Sequence, residues 1–276
     1  MTHSSFGDCI RSELSSRIFA AKKALDSQLR FLHEQLGRAE YAIKTDGSRV
    51  TTADLAISTR IFDILQKDFP EDDFCSEELE AKQIALEAEF AWVLDPIDGT
   101  HNFSLGLPLC GISLALLENG TPVYGCIYDA STQKILQGGP NIGVFYEGEI
   151  VFLPKNNFDA NSIVLFHKPL TEREFSVLNA ILRHGTDVRC LGTAVLSFLY
   201  VALGQGQGYI DFGLKVWDIA AAYPILKALS VPFVFLSESP FPLKTFDTGH
   251  SPLSFYTGVP AFCSYIESLI DSSEST

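Results

Sequence analysis

A mixed fold, α+β in its first half and α/β in its second, is what the order of patterns along this chain predicts. Three observations carry that expectation. A long stretch with apolar residues at three- and four-residue spacings opens the chain. Two apolar runs joined by Asn119-Gly120 give the first half a hairpin signal. Through the second half, strand-like and helix-like segments alternate.

Taken in order, Leu14, Ile18, Ala21, Leu25, Leu29, Leu32 and Leu36 form one apolar stripe, predicting a scaffold helix from about Asp8 to Leu36. Lys44 to Arg49 is polar and flexible. Thr51 and Asp54 then form a capping pair ahead of Ile57, Ile61 and Leu65, and Pro70 closes that helix. Phe74-Cys75 reads as a short strand ending in Ser76-Glu77-Glu78, and the acid-rich residues 79–89 read as a solvated helix. Phe90 to Leu94 is a buried strand. The runs Gly111–Leu117 and Pro122–Tyr128 pair as a hairpin, with more hairpin-like sequence from Ile142 to Phe152. Pro154 to Asn157 reads as a linker, dividing residues 1–153 from residues 154–276 within one structural unit. Beyond it come a strand at Ser162–Phe166, a helix at Thr171–Arg183 and a strand at Asp187–Leu191. An apolar helix to Leu203, a strand at Tyr209–Phe212 and a helix from about Trp217 follow, and the tail Asp271–Thr276 is expected to fray.

Composition narrows the function classes. The chain has 276 residues, 46% of them hydrophobic, enough for one large domain or two coupled ones. A formal net charge of −14 argues against nucleic acid or an anionic membrane as partner. No apolar run approaches the roughly 20 residues of a membrane span. The N-terminus shows no secretory pattern, and the 6 cysteines are scattered without a C-x-x-C pair. Reduced, mostly buried thiols in a cytoplasmic protein are expected.

The chemistry concentrates at Asp95-Pro96-Ile97-Asp98-Gly99-Thr100, where an apolar strand ends in two carboxylates. Carboxylates at the mouth of a core strand need compensation for lost hydration, and a divalent cation supplies it. Pro96 stiffens the turn and brings no N–H to compete for the oxygens. Gly99 allows close approach to a ligand, and Thr100 stands at the start of the next helix, where free amides suit phosphate. Glu77-Glu78 and Asp218 are further acids at element ends, the last 120 positions beyond Asp98. An oxygen-only donor set with no histidine or cysteine points to magnesium, with manganese as the other candidate.

At these residues the sequence resembles the inositol monophosphatase-like, lithium-sensitive, magnesium-dependent phosphatases. Residues 95–103, DPIDGTHNF, fit the core motif D-P-[IL]-D-G-T-x-N-F, and residues 217–221, WDIAA, fit the second motif. Lys44 to Asp54, Glu77-Glu78 and Gly192-Thr193-Ala194 follow in the matching order. The resemblance implies a layered αβαβα sandwich like that of inositol monophosphatase and fructose-1,6-bisphosphatase, and a phosphoric monoester hydrolase working by metal-activated water. It implies two or three magnesium ions. Glu77, Asp95 and the Ile97 carbonyl would hold the first and Asp95, Asp98 and Asp218 the second, with Glu77 sharing a third. Thr100 paired with Asp54 would orient the water, the amides of Gly99 and Thr100 would hold phosphate oxygens, and Lys44 would lie on a catalytic loop near the third ion. Gly192, Thr193, Ala194 and Asp211 would face the alcohol of a small phosphorylated substrate. A homodimer is implied as well.

Three departures bear on the substrate. Ser76 stands where the family usually has glycine, Ala228-Leu229-Ser230 replaces a Gly-Gly turn, and Asp211 replaces the glutamate of inositol-specific members. Inositol monophosphate is the default substrate, with histidinol phosphate, fructose 1,6-bisphosphate and 3′-phosphoadenosine 5′-phosphate as alternatives. A non-catalytic binding member of the same fold is the competing class.

Overall fold

The computed structural model describes residues 12–44, 47–78, 83–152, 155–167, 171–249 and 252–274. The amphipathic opening is two helices rather than one, α1 (Ser12–Asp26) and α2 (Leu29–Gln35). The break falls where Ser27 turns its hydroxyl back to the Ala24 carbonyl, 2.6 Å away, competing with the helix for the chain's direction. The predicted residues 8–11 lie outside the described residues. The polar stretch that follows is flanked by a small hairpin, β1 (Tyr41–Ile43) against β2 (Arg49–Thr51). In α3 (Thr52–Asp68) the capping box forms as its sequence requires: the Thr51 side chain accepts from the Asp54 N–H while Asp54 accepts from the Thr51 N–H.

Next come β3 (Asp73–Ser76), β4 (Gln83–Ala85), β5 (Phe90–Asp98), the short α4 (Thr100–Ser104), β6 (Gly111–Glu118), β7 (Thr121–Asp129), β8 (Lys134–Gly139), β9 (Gly143–Tyr146) and β10 (Glu149–Ile150). Seven of these strands build one sheet in the order β10-β9-β8-β7-β6-β5-β3. Only β3 runs parallel to its neighbour; the rest are antiparallel, as hairpin connections demand. Asn119 and Gly120 both take positive φ, 48° and 75°, which is the turn an Asn-Gly hairpin uses.

The second half contains β11 (Ile163–Phe166), α5 (Glu172–Arg183), β12 (Asp187–Arg189), α6 (Ala194–Ala202), β13 (Gly208–Leu214), α7 (Val216–Ala220), α8 (Ala222–Ala228), β14 (Phe233–Phe235), β15 (Thr245–Asp247), β16 (Leu253–Gly258) and α9 (Pro260–Glu274). Strands β12, β11 and β13 lie parallel, and β16 and β14 extend the sheet antiparallel. Two expectations fail here. Residues 83–85, read as part of a helix, form β4 and pair with β15, a partner more than 150 positions away. Residues 271–274, read as frayed, continue α9.

Side-chain alternation sets the layers. On one face of the large sheet Trp92, Leu94, Leu114 and Tyr124 pack against Ala21 and Leu25 of α1 and Ile57 and Ile61 of α3. The opposite face presents Val93, Ala115 and Ile127 to Phe198, Ile219 and Ile225 of α6, α7 and α8. The same helices meet Leu165, Tyr209 and Phe255 of the second sheet. That sheet's far face, with Val164, Ile210 and Tyr256, is covered by Ile181 of α5 and Phe262 of α9. The result is helices, sheet, helices, sheet, helices: the layered sandwich the sequence resemblance implies. Among the described residues no helix is long and apolar enough to cross a membrane. Of the described cysteines, Cys75, Cys110, Cys126 and Cys263 are buried and Cys190 is exposed, all as free thiols.

Candidate active site

Strand β5 carries both motif carboxylates to the edge of the core. Its pairing with β6 shifts register between Asp95 and Asp98, at Pro96, which cannot donate to a ladder. Gly99 follows at φ 81°, and a Cβ there would meet the Leu109 carbonyl oxygen at 2.8 Å, so this turn is closed to other residues. The third carboxylate comes from α7, in the layer between the sheets. Oxygens of Asp95, Asp98 and Asp218 all lie within 4.8 Å of one another.

Each carboxylate is held in place. Asp98 Oδ2 accepts from the Thr193 hydroxyl and, at 2.9 Å, from the Val195 N–H at the start of α6. Asp218 Oδ2 accepts the Lys215 N–H at 2.7 Å. Asp95 Oδ1 accepts the Ile97 N–H at 3.1 Å, so the proline turn does bring one amide to the site, from the residue after Pro96. Burial and then the repulsion of neighbouring acids push the carboxyls of Asp95 and Asp218 well above the usual range. Burial raises Asp98 to about 6, with the Thr193 hydroxyl and the amides opposing it. Three crowded, desolvated, oxygen-only donors are unfavourable as they stand and become favourable around a divalent cation. The residues therefore fit the metal site they imply.

Glu77, the residue after β3, lines the same cavity outside the three-carboxylate cluster, where it meets Lys44. The Lys44 ammonium lies 2.7 Å from both Glu77 Oε1 and Glu78 Oε1. Burial works against its charge, but the two acids outweigh it and raise its pKa. The departure at Ser76 has a visible role: its hydroxyl oxygen accepts from Ser58 at 2.9 Å and from the Glu78 N–H at 3.3 Å, steadying the paired glutamates. The departure at Ala228-Leu229-Ser230 is absorbed by Ser230, which adopts φ 55° where a glycine would do so without strain.

Thr100 and Asp54 stand side by side. The Thr100 hydroxyl donates to the Ile97 carbonyl at 2.8 Å and lies 3.4 Å from Asp54 Oδ1. Asp54 is buried, and burial lifts its carboxyl to about 7 against the opposing hydrogen bonds from Thr51. It thus serves the helix cap and faces Thr100 at once.

Around these groups opens a cavity of about 700 Å³. Glu77, Asp95, Ile97, Asp98, Gly99, Thr100, Gly192 and Asp218 line it. Thr193 and Ala194 stand behind Gly192, anchored to the Asp98 side of the wall. Asp211 is buried behind that wall, where its carboxylate accepts the Tyr209 hydroxyl at 2.6 Å and the Gly213 N–H at 2.9 Å. Sequence reading passed over Arg49, His167 and Lys215, which line the cavity together with His101 of the core motif. The available signal was position: His167 directly follows a parallel strand, and ligands gather at the carboxyl ends of such strands.

Residues 10–252 match the model of the inositol monophosphatase family. The chain belongs to that family. With it comes the enzyme class, phosphoric monoester hydrolase. An inositol-1-monophosphatase of Mesorhizobium japonicum is 30% identical over 219 residues, covering 78% of this chain and 82% of its own. A protein named Nus factor SuhB from Pasteurella multocida is 28% identical over 219 residues, covering 78% of this chain and 81% of its own. Among solved structures, an IMPase/NADP phosphatase complexed with Mg2+ and phosphate superposes with a TM-score of 0.81 at 22% identity, over 92% of this chain and 95% of that one. A staphylococcal inositol monophosphatase-1 soaked in LiCl, described as an inhibitory complex, gives 0.81 at 22% identity over 93% and 95%. At such identity these two likenesses are of fold.

Proposed function

We propose that this chain hydrolyses a phosphate monoester of a small alcohol, sugar or nucleotide in a magnesium-dependent reaction. The observation that carries the proposal is the convergence of Asp95, Asp98 and Asp218 within 4.8 Å, beside the Thr100–Asp54 pair. Glu77, Asp95 and the Ile97 carbonyl would hold one ion and Asp95, Asp98 and Asp218 a second, with Glu77 also serving a third near Lys44. When bound, such cations supply Lewis acidity for phosphoryl oxygens and lower the pKa of water.

The chain's own residues do the rest. The Thr100 oxygen, its hydrogen committed to the Ile97 carbonyl or Asp54, presents a lone pair that orients a water by accepting from it. Asp54, with a pKa of about 7, takes up a proton near neutrality. The amides of Gly99 and Thr100 hold phosphate oxygens where negative charge develops. One water oxygen joins phosphorus, the ester P–O bond breaks, and the departing alcohol oxygen collects a proton. Gly192, Thr193 and Ala194 shape the alcohol side, and Asp211 supports it from behind.

Residues 1–153 then form the metal-binding half and residues 154–276 the half completing the site. A homodimer, a cytoplasmic location and inhibition by lithium belong to the same proposal, supported by family membership and by the LiCl-soaked staphylococcal relative. Inositol monophosphate is the default substrate, and an IMPase/NADP phosphatase of the same fold supports including nucleotides. The test is hydrolysis of a phosphate-monoester panel with and without magnesium, by the wild type and by Asp98→Asn. Metal-dependent phosphate release that the substitution lowers about a thousandfold is expected. An undiminished variant, or a wild type inert on every substrate, overturns the proposal.

A further inference from the structure

The charged groups lining the cavity fall into two sets. Its acids among the described residues are Glu77, Asp95, Asp98 and Asp218, all in the floor that would take the cations. Its other charged or chargeable lining residues are Arg49, His101, His167 and Lys215. The wall beyond the phosphate position therefore offers hydrogen-bond donors without a carboxylate among the described residues. A neutral polyol needs acceptors as well as donors, because each hydroxyl brings a hydrogen to place. Asp211, the acid that the family resemblance sets toward the alcohol, is 1% exposed and already accepts from Tyr209 and Gly213. It also lies 3.9 Å from His167 Nδ1, which sets that imidazole on the same wall.

Lys215 holds a distinctive position. It lines the catalytic cavity and also a neighbouring one of about 440 Å³, whose walls include Pro240, Phe241, Lys244, Glu238 and Asp247. Its backbone is fixed beside the centre by the 2.7 Å bond from its N–H to Asp218. A cation anchored at the junction of two cavities is suited to a substrate that extends past the scissile phosphate.

From this we infer that Lys215, with His167, selects substrates whose leaving alcohol carries a second anionic group, a phosphate or a carboxylate, over neutral polyol monophosphates. The inference rests on the phosphatase reading above and narrows its substrate class. Lys215 acts as a specificity-determining residue, by a charge-assisted hydrogen bond to the second anion.

The experiment compares kcat/KM for glycerol 2-phosphate, 2-phosphoglycerate and fructose 1,6-bisphosphate, with p-nitrophenyl phosphate as a control, in wild type, Lys215→Gln, Lys215→Arg and His167→Gln. In 2-phosphoglycerate a carboxylate replaces one alcohol carbon of glycerol 2-phosphate, and the bisphosphate supplies a second phosphate, so the two arms separate the two anions. The wild type should favour at least one dianionic-type substrate over glycerol 2-phosphate by roughly tenfold to a hundredfold, the range of a charged hydrogen bond. Lys215→Gln should erase that ratio through KM, His167→Gln should reduce it and Lys215→Arg should retain it, with melting temperatures confirming that each variant folds. Hydrolysis of p-nitrophenyl phosphate without such a preference, or with one that survives Lys215→Gln, overturns the inference and leaves the phosphatase standing. No hydrolysis of any substrate removes both.

Discussion

The Asp98 carboxylate, on the last residue of β5, is gripped by the hydroxyl of Thr193, the residue that caps α6. The bond ties the large sheet to the helical layer behind it at the point where the acids converge. Thr193→Val should cost about 1–3 kcal/mol of stability, the penalty for stripping a donor from a buried carboxylate. Thr193→Ser should recover most of it. Urea unfolding of the three proteins checks this, and equal stability of the valine and serine variants would contradict it.

Acidity should govern stability in an unusual direction. Asp54 and Asp98 ionise near 7 and 6 in the folded chain, against roughly 4 when unfolded. Their neutral forms are favoured by folding, so this contribution is complete below about pH 4 and is lost as pH rises through 6 and 7. The metal-free protein should melt lower at about pH 8 than at about pH 5, and Asp98→Asn should flatten that slope. Added magnesium should raise the melting temperature more at the higher pH, since the ligands must be deprotonated to bind. Calorimetry across that range measures it.

Lys44 occupies the two glutamates as an internal cation, with both contacts at 2.7 Å. It therefore competes with a metal for Glu77. Lys44→Met should tighten magnesium binding by the metal-free protein severalfold in isothermal titration. Weaker binding would mean that Lys44 assists the ion.

Gly125 in β7 has no room for a side chain: a Cβ would sit 1.9 Å from the carbonyl oxygen of Ala221, between α7 and α8. Gly125→Ala should lose about 1–3 kcal/mol or more through overpacking. Because Ala221 follows Asp218 by one helical turn, phosphate release should fall as well. A melting curve and an assay on the same sample test both effects.

Much of this was legible because it is local. The capping box at Thr51 and Asp54, the Asn119-Gly120 turn and the apolar run into Asp95 each state their geometry within a few residues. The family motifs did the rest for Asp218, whose partners lie 120 positions earlier. What escaped depends on distant segments. Residues 83–85 look like an acid-rich helix until β15 supplies the strand they pair with. The break at Ser27-Gln28 leaves the apolar stripe intact, so periodicity passes straight through it. Strands β14 and β16 and helix α9 carry apolar sequence without a decisive turn or cap, and Lys215 and His167 acquire their meaning only once the fold sets them on one wall.

The three converging carboxylates also order events in time. Asp95 and Asp98 leave the ribosome long before Asp218, and the strand preceding Asp218 must find its parallel neighbour to bring α7 into place. A growing chain thus meets the full electrostatic burden of the centre only after most of both sheets exists to bear it. Half-made copies carry two of the three acids, and synthesis has to pass the second sheet's central strand before ion capture can reward the finished fold.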